Sequence, residues 1–178
     1  MEARDFCQRQ SVDASPVLSS ATGQELRAAF GCYPTGVTIV TCRCPDTDHF
    51  IGVTANSFTS VSLDPPIVSW NLGSNAHSRS AFSNAREFAI HVLSAQQQEL
   101  ARRFATRGAS KFEGVLLDSE TPPLFNQFLV RYVCRKIQQI SVGDHEVFFG
   151  EVVRLDTTAQ APLMFVNSQF VDCALVTR

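Results

Sequence analysis

Residues 52–66 read GVTANSFTSVSLDPP, a strand-like β-branched start that runs into a string of short polar side chains. Thr54, Asn56, Ser57, Thr59, Ser60 and Ser62 are interrupted only by the single apolar positions Phe58, Val61 and Leu63. Such a run buries little core. It presents small side chains and backbone amides, which suit a flat polar ring that needs donors and acceptors along its edge and nothing bulky over its face. The alternative is a Ser/Thr-rich connection whose hydroxyls satisfy nearby backbone groups. The residues leave both readings open, and composition alone favours the second.

Outward from this stretch, hairpin-type connections dominate. GVTIVTCR at 36–43 and the segment 50–55 are β-branched runs either side of the turn-forming PDTDH, and 66–72 follows as a third strand. EFAIHVL alternates as a half-buried strand, with Phe88, Ile90 and Val92 on one face and Ala89 and His91 on the other. Two long alternating strands, 127–140 and 145–155, are joined by a tight turn at Ser141-Val142-Gly143-Asp144, and PLMFV and a last strand near Phe170 close the chain. Three short helices are expected. Thr22 and Glu25 form a capping-box pattern before Leu26, Ala29 and Phe30; Ser74 caps 75–85; Ser94 with Gln97 opens a helix to about Phe104. Residues 106–126, with two glycines and Pro122-Pro123, read as a long site-shaping loop. No Gly-rich strand-to-helix turn occurs, so an antiparallel barrel is preferred over a doubly wound nucleotide fold.

The chain has 178 residues, enough for one domain, over 22–178, with residues 1–21 as a flexible polar arm. A net charge of −2 provides no positive field for nucleic acid, and no apolar run approaches the ~20 residues of a membrane span, so a cytoplasmic protein is expected. The six cysteines are scattered and read as free thiols; Cys42 and Cys44 share one strand face rather than half a metal site, and no metal is expected.

Two further clusters carry chemistry. In GSNAHSRSAF, Ser74, Asn75, His77, Ser78 and Arg79 gather at a helix start that favours a phosphate or is simply a solvated first turn. Gly143-Asp144-His145 is either a hairpin tip or a His–carboxylate pair presenting a donor to a substrate. His91 and His49 read as structural or solvated. No nucleophile elbow, P-loop or HExxH motif is present.

PTGVTIVT at 34–41, GVTANSFTSVSLDPP at 52–66, NAHSRSAF at 75–82, EFAIHVLSAQQQELARRFA at 87–105, SKFEGV at 110–115 and GDHEVFFGEV at 143–152 together resemble the short-chain flavin reductase family, in order and at family-like spacing. The resemblance implies a mainly β fold, an FMN-binding split β-barrel of antiparallel Greek-key type with a few short flanking helices. It also implies a homodimer with FMN or FAD at the interface. The activity it implies is NAD(P)H:flavin oxidoreduction, a hydride passing from nicotinamide C4 of NADH or NADPH to flavin N5, with reduced flavin supplied to a partner monooxygenase. By similarity, Thr35, Gly36, Thr54, Ala55, Asn56 and Ser57 line the flavin ring and ribityl chain, and Ser60 and Ser62 support that loop or reach the phosphate. Asn71, Ser74, Ser78 and Phe82 hold the phosphate end, and His145, with Asp144 beside it, contacts the nicotinamide nucleotide as the catalytic pair. The chain departs from the family at Ala76, where Ser is frequent, at Ser110, where Asp is frequent, and at NSQF 167–170, which replaces the more usual Gly and Tyr. A tightly held flavin oxidising or oxygenating a small organic substrate directly, or a non-catalytic flavin carrier, are the alternatives.

Overall fold

The computed structural model describes residues 22–108 and 110–172. The expected arm at 1–21, together with Cys7 and Cys173, lies outside them. Twelve strands and three helices are present among the described residues. Helix α1 (Gly23–Gly31) begins with the expected capping box, Thr22 accepting from the Glu25 amide while the Glu25 side chain accepts from the Thr22 amide. Strands β1 (Thr35–Gly36), β2 (Thr38–Arg43), β3 (Phe50–Ala55), β4 (Thr59–Leu63) and β5 (Pro66–Gly73) follow. Then come α2 (Arg79–Asn84), β6 (Glu87–Val92), a 3-10 turn Ala95–Gln97, α3 (Gln98–Ala105), β7 (Leu117–Glu120) and β8 (Pro123–Phe125). The long pair β9 (Val130–Val142) and β10 (His145–Thr157), then β11 (Leu163–Val166) and β12 (Gln169–Asp172), complete the chain.

A seven-stranded sheet runs in the order β3-β2-β6-β9-β10-β5-β4, with every neighbouring pair antiparallel. It coils so that β3, at one edge, returns beside β5 near the other, which makes a split barrel with a seam between β3 and β5. Three-stranded (β1-β11-β12) and two-stranded (β7-β8) sheets cover its outside.

The two faces of the barrel wall are both covered. Inside, Val40, Cys42, Trp70, Phe82, Phe88, Ile90, Cys134 and Phe148 pack together. Outside, Val37, Ile39, Leu93, Phe104, Phe125 and Leu163 form a second core under α3. This explains why β2 reads as an unbroken β-branched run rather than an alternating one. It also corrects the half-buried reading of β6, because Ala89 and His91 are as buried as Phe88 and Ile90. Gly150 permits a close approach: a Cβ there would lie 2.5 Å from Phe88 Cζ and 2.8 Å from Cys134 Cβ. Burial pushes the Cys42 and Cys134 thiols up to about 12, so both are inert core groups.

Two other expectations need correction. The helix expected over 75–85 is a turn followed by the shorter α2, with Ser78 rather than Ser74 at its N-cap. Ser74 is diverted because its amide donates to Asp144 O at 2.8 Å. The loop expected over 106–126 contains the β7–β8 hairpin, pinned by the buried Arg131, which donates to Asp118 at 2.8 Å, to Phe125 O at 2.7 Å and to Asp156 at 2.9 Å. Prolines at 122 and 123 hide that hairpin from a propensity reading.

His91 joins the outer core to the wall. Its Nδ1 lies 3.1 Å from Ile39 O and its Nε2 accepts the Phe125 amide at 3.2 Å, which fixes a neutral ring with the proton on Nδ1. Burial drives its pKa down from 6.5 to about 3. The unfolded chain therefore takes up a proton near pH 6.5 that the folded chain refuses until about 3, and acid between these limits favours unfolding. Urea unfolding between pH 7 and 4.5 should show stability falling with a slope approaching about 1.4 kcal/mol per pH unit from this group. His91→Gln should lose that share of the slope; an unchanged slope refutes the assignment.

Candidate functional site

The seam between β3 and β5 holds a cavity of about 390 Å3, lined by Val53, Thr54, Ala55, Asn56, Ser57, Asn71, Leu72, Gly73 and His145. Strand β10 supplies His145, whose Cα partner on β5 is Gly73, and β3 with its exit supplies residues 53–57. Residues that stand apart in sequence are thus gathered where the sheet rolls back on itself without completing a hydrogen-bonded ladder.

The hydroxyls in this lining are directed at the protein itself. Thr54 Oγ1 donates to Ala101 O at 2.6 Å and ties the cavity wall to α3. Ser57 Oγ accepts the Asn71 amide at 2.8 Å and donates to Asn71 O at 3.2 Å, occupying both edge groups of β5 across the seam. The Thr54 and Ser57 hydroxyls therefore satisfy backbone groups, as the second reading of the opening stretch had it, and in doing so they fix the wall of a cavity. The polar groups left over are different ones. The Asn56 and Asn71 carboxamides and His145 Nε2 have no hydrogen-bond partner among the described residues.

His145 Nδ1 lies 2.7 Å from Asp144 Oδ1, which presents Nε2 away from the carboxylate. The hydrogen bond from His145 holds the Asp144 carboxyl below its ordinary value. Asp144 itself is exposed and does not line the cavity; it touches His145 from outside the lining.

The other expected site residues are dispersed. Ser60 and Ser62 lie on β4, paired with Val68 and Ile67. Ser74 and Ser78 flank the turn into α2, just beyond the cavity residue Gly73. Thr35 and Gly36 lie on β1, opposite Phe165 and Met164, and the Thr35 hydroxyl is buried with no hydrogen-bond partner among the described residues. Phe82 lies in the core: its ring is 1% exposed and packs edge-on against Trp70, 4.9 Å between centroids, inside the barrel. Val53, Leu72 and Gly73 were missed, because only strand register, not residue type, brings them to the seam. Among the described residues no group of three or more His, Cys, Asp or Glu is placed to hold a metal ion.

A family model described as "Flavin reductase like domain" matches residues 30–174. The chain belongs to the flavin reductase family. It is 41% identical over 156 residues to the FMN reductase (NADH) SmoA of Agrobacterium fabrum, covering 86% of this chain and 88% of that one. It is 34% identical to the reductase component of the flavin-dependent trigonelline monooxygenase of Acinetobacter baylyi, across 83% of this chain and 48% of that longer one. Among solved structures, the NADH:FAD oxidoreductase SgcE6 of Streptomyces globisporus, in complex with NAD and FAD fragments, superposes with a TM-score of 0.80 at 34% identity, covering 87% of this chain and 94% of that one. The split-barrel architecture is shared by the flavin reductases among these neighbours.

If the hydroxyls of this flavin reductase act through the backbone, Thr54→Val should cost about 0.5–1.5 kcal/mol in urea unfolding, the worth of one hydrogen bond. A variant as stable as the parent contradicts that role.

Proposed function

We propose that this chain is an NAD(P)H-dependent flavin reductase that takes FMN or FAD in the β3–β5 cavity and delivers reduced flavin to a partner monooxygenase. The single observation that carries the reading is the donor set: two free carboxamides and one imidazole nitrogen around a space with no Lys, Arg, Asp or Glu in its lining. That set fits a planar, largely uncharged ring. Asn56, Asn71 and His145 would hold an isoalloxazine there, and the bound ring would supply the hydride-accepting redox chemistry.

The protein's own contribution is placement. Asn56 and Asn71 orient the ring edge, Ala55 keeps the wall low, and the Thr54 and Ser57 hydrogen bonds hold that wall rigid. His145, aimed by Asp144, is a contact for the nicotinamide nucleotide, and no side chain in the lining acts as an obligatory acid or base.

The same face supports a homodimer. Ile140 and Val142 on β9 are 40% and 59% exposed, and their β10 partners are Val147 and the cavity residue His145. Cross-strand partners share a face, so an apolar patch adjoins the cavity mouth. A second copy seated on it would cover the patch and roof the bound ring. No helix among the described residues is long and apolar enough to cross a membrane. The trigonelline monooxygenase reductase component and a nitrilotriacetate monooxygenase component B among its relatives support a monooxygenase as the recipient, and the proposal includes a cytoplasmic setting.

Oxidation of NADH and NADPH followed at 340 nm, with and without FMN, FAD or riboflavin, should show turnover that requires added flavin. A yellow purified protein with slow turnover would instead favour direct oxidation of an organic substrate, and no turnover at all a carrier. In the same assay His145→Ala should raise the KM for the nicotinamide nucleotide more than it lowers kcat; a fall in kcat with unchanged KM excludes the positioning role. Sedimentation equilibrium should return twice the chain mass, and a strictly monomeric species would remove the dimer.

A further inference from the structure

A second cavity, of about 270 Å3, opens in the outer layer between α3, the segment after the turn at 111–114 and the exit of β8. It shares no lining residue with the β3–β5 cavity. Leu100, Val115 and Phe125 make up its apolar side, and all three belong to the outer core, Phe125 at 1% exposure. Hydrogen bonds fix the frame around them. The Asn126 amide donates to Leu116 O at 3.1 Å, and the buried Gln97 accepts the Ser94 amide at 2.9 Å and donates to Gln127 O at 3.0 Å.

Arg103 is the one charged residue in this lining. Its Nη1 donates to Glu113 O at 2.9 Å, directly before the lining residues Gly114 and Val115, which holds the guanidinium at the cavity edge. Its Nε and Nη2 have no hydrogen-bond partner among the described residues, and no described carboxylate forms an ion pair with it. Those two nitrogens form the edge of a guanidinium that a carboxylate accepts as a bidentate pair. The carboxamides of Gln96, Asn126 and Gln127 add neutral donors without described partners. A simple anion would gain nothing from the apolar side, and a plain hydrocarbon would leave the guanidinium unmatched.

We propose that this cavity is a second ligand site, for a small aromatic carboxylate whose ring rests on Leu100, Val115 and Phe125 and whose acid group pairs with Nε and Nη2 of Arg103. The volume lies below the ~300–1,000 Å3 of pockets for drug-sized molecules, which suits one ring and its acid group rather than a flavin. Helix α3 also carries Ala101, whose carbonyl holds Thr54 in the wall of the β3–β5 cavity, so the two sites share a supporting element without sharing a side chain.

Benzoate is the probe and benzamide its neutral counterpart, each titrated while backbone amide shifts are followed by NMR. Benzoate should saturate with a dissociation constant of about 0.1–1 mM, with shifts gathered around residues 96–103, 113–116 and 125–127. Benzamide, matched in ring and size, should bind about tenfold more weakly, the worth of a charged hydrogen-bonded pair. Arg103→Gln should bring benzoate down to the benzamide level and leave benzamide unchanged, whereas Leu100→Gln should weaken both. Equal constants for the two probes in the parent protein overturn the proposal, as does the lack of saturable benzoate binding up to about 10 mM. Displacement of benzoate by FMN, or shifts gathered at 53–57, 71–73 and 145, would place the acid in the other cavity and overturn it too. The comparison of benzoate with benzamide on the parent protein decides alone if a variant does not fold.

Discussion

Ile39 and Val40 are neighbours in the chain, their side chains point to opposite faces of β2, and both are fully buried. Water is therefore excluded from both sides of the barrel wall at once. Everything else follows from meeting that demand. The inner face needs the aromatic filling of Trp70, Phe82, Phe88 and Phe148, whose rings meet edge-on or stacked with centroids 4.8–6.3 Å apart. The outer face needs a cover, which α3, the turn at 111–114 and the β7–β8 hairpin provide through Phe104, Phe112 and Phe125 respectively. His91 and Arg131 are basic groups buried within this arrangement, each with its nitrogens committed to carbonyl, amide or carboxylate partners.

The site inherits its position from the same arrangement. A wall covered on both faces is stiff, and the one place where the sheet fails to pair is the seam between its ends. Thr54 reaches into the outer layer to Ala101 O, and Ser57 crosses the seam to Asn71, so the cavity wall is anchored to both sides of the gap. Lys111 adds to this by donating at 3.1 Å to the carbonyl of Gly52, two residues ahead of Thr54 on β3, and at 2.7 Å to the carbonyl of Phe104 on α3. The cavity is therefore shaped by backbone held from behind, while its free polar groups face forward.

Much of this was legible in the sequence. The antiparallel order of β2–β3 and β9–β10 and the capping boxes at Thr22 and Ser94 follow from β-branched runs and cap spacing, while the family resemblance singled out residues 54–57, Asn71 and His145, which line one cavity. What was hidden depended on partners distant in the chain. Whether β6 has one covered face or two is decided by α3 and β8, not by EFAIHV. The direction of the Thr54 and Ser57 hydroxyls is decided by carbonyl and amide groups 47 and 14 residues away. Phe82 was drawn into the site by its nearness to Ser78, although one helical turn is enough to send it into the core. The burial of Glu146 carried a signal that could have been followed, since a carboxylate in phase with Phe148 and Gly150 on an alternating strand must point inward.

The gap crossed by Ser57 also bears on how such a protein changes over time. The cavity exists because two stretches of backbone stop short of joining, so on the proposed reading closing the ring of strands and admitting a cofactor draw on the same unpaired edge. Substitutions selected purely for a tougher barrel would tend to zip that edge shut, and tolerance to heat would rise as room for the guest disappeared.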